Sequence, residues 1–163
     1  MIVKNKLHDD VIAWEVEVED LNIDVENLDY KLQDGSLFGK ATTRLENHDL
    51  KLKQKILNCL DLDIIKEKIP EYKIIDIKIF KDFPGFKLNP HCDRRKHKGF
   101  IMINLINNIN STTFYNRNRE FLCEASNKKD KGVFHILHQK PRALHAIENN
   151  SNKIRYTAIA FIK

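Results

Sequence analysis

Two histidines and one carboxylate carry the chemistry most plainly. His91 and Asp93 stand in the run Pro90-His91-Cys92-Asp93, and His145 lies well downstream. Two neutral imidazoles and one anion form the ligand set of a facial triad, which holds iron(II) and leaves coordination positions open for reaction. His91, Asp93 and His145 are therefore the expected metal ligands and catalytic residues. Arg155 follows, with the planar donor fork that suits a carboxylate-bearing co-substrate. Thr157 comes two residues later, so on a strand it shares a face with Arg155 and offers a hydroxyl beside it. A metal triad next to a carboxylate-binding arginine points to an oxygenase.

The elements that must position these groups are strands. Side chains two apart on a strand project to one side, roughly 6–7 Å apart, so His91 and Asp93 can converge on one ion. Cys92 lies between them and is expected to face away. Ala143–Ile147 and Ile154–Ile159 flank the polar segment Glu148–Lys153, which has the composition of a hairpin turn. A turn centred near Asn150 would set His145 opposite Arg155. His135 and His138 are rivals for the distal ligand; they differ in parity, so at most one faces inward, and Pro141 separates them from the last two strands. His8, His48 and His97 have no companion pattern and are expected at the surface.

Ile12, Trp14, Val16 and Val18 alternate with Ala13, Glu15, Glu17 and Glu19, as in a half-buried strand, with Trp14 expected in core packing. Residues 20–47 are expected to be loop with a short strand around Ser36–Thr43. Between Asp49 and Ile69 the apolar positions Leu50, Leu57, Leu60, Ile64 and Ile65 fall at near-helical spacing, predicting one or two helices that end at Pro70. From Tyr72 the pattern turns to short β-type runs: Tyr72–Phe80, Phe86–Cys92, Gly99–Leu105, Thr112–Tyr115, Val133–Leu137, Ala143–Ile147 and Ile154–Ile162. Such strands at close spacing predict a sandwich or jelly roll. The expected fold is mainly β with an α flank: a double-stranded β-helix over 72–163, preceded by a strand and helix flank over 1–71, within one domain of 163 residues.

With 42% apolar and 31% charged residues the composition is that of an ordinary soluble globular protein. No apolar run is long enough to cross a bilayer. The first residues lack the apolar core of a secretory leader. Cys59, Cys92 and Cys123 are scattered and odd in number, which argues for a reducing cytoplasm. The net charge of +5 is unevenly spread: residues 9–29 are acidic, and the run Arg94-Arg95-Lys96-His97-Lys98 directly follows the second ligand. That run is an exposed basic turn or the rim of a site for an acidic substrate.

Taken together, His91, Asp93, His145, Arg155 and Thr157 resemble the signature of the iron(II)/2-oxoglutarate-dependent oxygenases. The approach Pro84-Gly85-Phe86-Lys87-Leu88-Asn89-Pro90-His91 is similar to that of the prolyl-hydroxylase-like branch, in particular its small phage and bacterial members. Asn110-Ser111-Thr112-Thr113-Phe114-Tyr115 resembles the segment that precedes the middle of the barrel in that family, although two glycines are replaced by Asn110 and Ser111. The resemblance implies Fe(II), 2-oxoglutarate and O₂, with ascorbate as a supporting reductant. It implies a hydroxylase that couples decarboxylation of 2-oxoglutarate to oxidation of a C–H bond in a peptide, protein or amino-acid-like substrate. His91, Asp93 and His145 would hold the metal, and Arg155 and Thr157 the co-substrate. Prolyl hydroxylases usually have lysine where Arg155 stands, and Tyr72 and Tyr115 are the candidates for their co-substrate tyrosine. Phe161 occupies the position of a second arginine in the nucleic-acid demethylases, so a nucleic-acid substrate is disfavoured. Intact Asp93 favours hydroxylation over halogenation. The competing readings are a non-enzymatic jelly-roll binding or assembly module and a cupin-like metal protein. The sequence leaves the oligomeric state open.

Overall fold

The computed structural model describes residues 1–19, 21–32 and 43–163. The chain begins with β1 (Ile2–His8) and β2 (Val11–Glu17), continues through β3 (Tyr30–Leu32) and β4 (Arg44–Asn47), and then forms α1 (Leu50–Asn58) and α2 (Leu62–Lys68). Eight strands follow: β5 (Ile74–Asp82), β6 (Lys87–His91), β7 (Gly99–Asn104), β8 (Thr112–Tyr115), β9 (Phe121–Glu124), β10 (Lys131–Ile136), β11 (Leu144–Glu148) and β12 (Arg155–Ile162). They build two antiparallel sheets. The larger has the order β1-β2-β10-β7-β12-β5-β4-β3 and the smaller β6-β11-β8-β9. From β5 onward the chain passes back and forth between the sheets, so this part is a double-stranded β-helix.

The central strands of the large sheet are covered on both faces, and strand alternation sorts their side chains into two cores. On β12, Tyr156, Ala158, Ala160 and Ile162 face the helices; Ile159 and Phe161 face the small sheet. On β7, Ile101 and Ile103 take the helix side while Phe100 and Met102 point between the sheets. This double cover is why β7 reads as an unbroken apolar run. The helices supply the outer cover through Ile56, Leu60, Ile65 and Ile69. Asp49 caps α1, accepting from the Lys51 and Leu52 amides at 2.8 and 3.1 Å, and Asp61 caps α2 through the Ile64 amide.

Several expectations change. β2 is not half-buried: Val11 and Ala13 are as deeply enclosed as Val16, because the strand extends a sheet covered on both sides. Trp14 packs 5.8 Å from the Phe134 ring, as expected of a core residue. β1, β3, β4 and β9 are strands that the sequence pattern did not single out, and the first three join the large sheet itself. The strand expected around Ser36–Thr43 falls, apart from Thr43, outside the described residues. The expected hairpin between the last two strands is overturned. β11 pairs with β6 and β8, whereas β12 pairs with β5 and β7, so the segment between them crosses from one sheet to the other. Asn149 holds this crossing, its side-chain amide donating to the Asp82 and Lys153 carbonyls.

Candidate metal centre

His91 is the last residue of β6, and His145 is its partner in register on β11. Asp93 lies just beyond the end of β6, not on the strand as alternation had suggested. The chain turns there and brings the carboxylate back over the two rings. His91 Nε2 and His145 Nε2 are each 3.4 Å from Asp93 Oδ1, and the ring centroids are 4.4 Å apart. One donor atom from each residue lies within 4.8 Å of the others. Ligands at right angles around an ion with bonds near 2.1 Å sit about 3 Å apart, so the three donors already face a common point.

The electrostatics suit a cation. His91 Nδ1 lies 2.7 Å from the Asn89 carbonyl oxygen; that oxygen can only accept, so Nδ1 carries a proton, and in the neutral ring Nε2 is the nitrogen with the lone pair. Burial lowers the pKa of His145 and favours the neutral ring that a ligand requires. Burial opposes the charged form of His91 as well, and Arg44 adds to this, but Asp93 and the Asn89 carbonyl outweigh them and raise its pKa. Burial alone would raise the Asp93 carboxyl, yet the two imidazoles overcome it and hold the group well below the usual carboxylate range.

The rival histidines go elsewhere. His135 does face inward, between Phe100 and Phe114, and burial pushes its pKa down to about 3. Its ring stands 5.8 Å from that of His145, outside the cluster of donors. His138 braces the loop after β6, with Nε2 3.2 Å from the Arg94 carbonyl and Nδ1 3.7 Å from Cys92 Sγ. Cys92 takes no part in the cluster, as expected, but it lines the same cleft rather than lying away from it. His97, expected at the surface, instead lines the cleft beside the triad, its ring 4.8 Å from that of Phe161.

The triad opens into this cleft, which holds about 710 Å³ between the sheets, within the size range of small-molecule sites. Its lining combines apolar side chains, among them Phe80, Leu88, Met102 and Ile147, with the cations Lys78, Arg94 and Lys96. Behind Met102 and Thr112 lies Arg155, fully enclosed, with Nη2 3.5 Å from Met102 Sδ and 3.4 Å from Thr112 Oγ1. Its Nη1 is 3.2 Å from Asp82 Oδ2. Burial lowers the Arg155 guanidinium to about 10 against the pull of Asp82, which leaves it charged at neutral pH. Arg155 Nε and Thr157 Oγ1 are buried and lack a hydrogen-bond partner among the described residues. Arg155 and Thr157 do share a face of β12, but Arg155 stands opposite Asp82 in register rather than opposite His145.

The structure thus assembles His91, Asp93 and His145 and sets Arg155 behind the wall of the same cleft. Tyr72 packs into the helix-side core, and Tyr115 meets Phe121 edge-to-face beside a different groove, so neither lines the cleft. The groups that sequence reasoning missed are Arg44, Asp82, Met102 and Thr112. Asp82 has a visible signal, since β5 leads into the first ligand motif and ends on this one carboxylate. Arg44 has none, because it precedes the helices on a strand too short to leave a pattern.

No family profile matches the chain, and no curated protein sequence matches it. Solved structures do. A 2OG-Fe(II) oxygenase family oxidoreductase from Burkholderia pseudomallei superposes with a TM-score of 0.63 at 11% identity, over 85% of this chain and 73% of that one. A viral collagen prolyl hydroxylase from Paramecium Bursaria Chlorella virus-1, solved with 2OG, gives 0.61 at 13%, over 93% and 95% of the two chains. A prolyl hydroxylase from Trichoplax adhaerens, in complex with a hypoxia inducible factor oxygen degradation domain peptide fragment, gives 0.55 at 14%, over 72% and 62%. At these identities the likeness is one of fold: the chain has the jelly roll of 2OG-Fe(II) oxygenases and prolyl hydroxylases.

Proposed function

We propose that this protein is an Fe(II)/2-oxoglutarate-dependent dioxygenase that hydroxylates a peptidyl or amino-acid-like substrate, giving succinate and CO₂ as co-products. The observation that carries this reading is the convergence of His91, Asp93 and His145 in the cleft whose wall is backed by Arg155. The donor set fits iron(II): two imidazole nitrogens and one ionised carboxylate on one side, with open cleft on the other. Iron(II), when bound, would supply the O₂ chemistry that couples decarboxylation to C–H oxidation.

The chain's own residues would do the rest. Asn89 holds His91 in its ligating tautomer. Arg155 would bind the far carboxylate of 2-oxoglutarate, and its free Nε and the Thr157 hydroxyl are buried polar atoms still in want of a partner. The apolar side chains of Phe80, Leu88, Met102 and Ile147 would exclude water from the span between metal and arginine. A peptidyl substrate is supported by the fold-mate that holds a peptide fragment. The three thiols, all free, suit a reducing cytoplasm. No helix among the described residues is long and apolar enough to cross a membrane. The test is succinate release from 2-oxoglutarate with added Fe(II): wild type is expected to turn over slowly even without substrate, and Asp93→Ala to be inactive. Turnover retained by Asp93→Ala would overturn the assignment.

A further inference from the structure

Arg155 is not the only buried arginine at this cleft. Arg44, on β4, lines the cleft directly, and its guanidinium is clamped between two phenyl rings, 3.9 Å from the centroids of both Phe80 and Phe86. Its Nε and Nη2 bind Asp82 at 2.6 and 2.8 Å, and Asp82 also takes Arg155 at 3.2 Å. All three groups are buried, with side-chain exposures of 6%, 1% and 2% for Arg44, Asp82 and Arg155. Among the described residues no other carboxylate pairs with either arginine. Two guanidiniums therefore share one carboxylate, and a buried unit of positive charge is left over. An unpaired buried charge is expensive unless an anion reaches it.

We propose that Arg44 is a second co-substrate-binding residue, which together with Arg155 receives the far carboxylate of the 2-oxo diacid, Asp82 holding the two forks in place. The proposal rests on the dioxygenase reading and adds to it a residue from outside the eight-stranded barrel. Asp82 occupies Nε and Nη2 of Arg44, so the remaining Nη1 edge is the one available to a ligand in the cleft. The two rings fix the plane of the fork, and little side-chain freedom remains to be lost when the anion arrives. Thr112, which lines the cleft together with Arg44, contacts Arg155 through its Oγ1 and so links the enclosed arginine to that cleft.

The experiment compares two 2-oxo acids in the full-length protein. Fe(II)-loaded wild type, Arg44→Lys and Arg44→Gln are titrated anaerobically with 2-oxoglutarate, and separately with pyruvate, which chelates metal but has no far carboxylate. Arg44→Gln should weaken 2-oxoglutarate by about 10- to 100-fold, the range for a lost hydrogen bond to a charged group, and leave pyruvate unchanged. Arg44→Lys keeps the charge but loses the fork and should fall between; should the glutamine variant fail to fold, the lysine variant decides the question. Equal weakening of both acids, or 2-oxoglutarate affinity unchanged in the lysine variant, would overturn the role given to Arg44. Wild type that binds neither acid would overturn the dioxygenase reading itself, a separate outcome.

Discussion

His135 and His145 are both buried histidines on inward faces, 5.8 Å apart ring to ring, and their surroundings separate their roles. His145 meets Asp93 and His91; His135 meets Phe100 and Phe114 edge-on. His135→Leu is expected to keep Fe(II) affinity within a few-fold, while His145→Ala loses about 100-fold or more, as measured by metal titration. The reverse ranking would move the site. Asp82 gives a second prediction at this scale. Asp82→Asn leaves two buried guanidiniums without a counter-charge, which should cost about 3 kcal/mol in urea denaturation. Saturating 2-oxoglutarate should recover part of that loss in the metal-loaded protein, since a ligand that binds only the folded state stabilises it. An unchanged midpoint would show that Asp82 is not the anion that holds the pair.

Strand pairing decides what these residues can meet. Seven of the eight strands from β5 to β12, all but β9, are legible in the sequence, because β-branched and aromatic runs broken by polar turns survive whatever the tertiary context. The smaller strands are not. β9 has an exposed Phe121 and little buried surface; β4 takes its order from pairing onto β5, and β3 from pairing onto β4. The triad is legible through its residue types, although alternation along a strand does not place Asp93: a turn returns its carboxylate to the two rings. Arg155 is legible as a residue, but its neighbours are not, since the crossing after β11 takes it into the other sheet beside Asp82. Gly132 on β10 lies opposite Ile103, where a Cβ would come within 1.7 Å of the Met102 carbonyl oxygen. Gly132→Ala should therefore part β10 from β7 and cost about 2–4 kcal/mol in thermal or urea unfolding, with His91, Asp93 and His145 untouched. A neutral result would contradict the tight pairing of these strands.

Across the whole molecule the charge is sorted. In the cleft the cations Arg44, Lys78, Arg94 and Lys96 outnumber the carboxylates Asp76 and Asp93, whereas the charged lining of the second groove is Glu15, Glu124 and Glu148. Lys78 is tied to Glu46, but Arg94, Arg95 and Lys96 are exposed in the turn that follows Asp93. Reversing those three charges should raise the KM for an acidic peptide substrate by about tenfold at low salt and leave kcat unchanged, an effect that fades as salt screens the mouth. A fall in kcat at constant KM would instead put the turn in the chemistry. The central claim, that one cleft holds iron(II) and 2-oxoglutarate together, is tested most directly by anaerobic titration of the metal-free protein with Fe(II) and then 2-oxoglutarate. A metal-to-ligand charge-transfer band should appear in wild type and be lost or strongly weakened in Arg155→Ala. No band in wild type, with no metal-dependent succinate release, would contradict it.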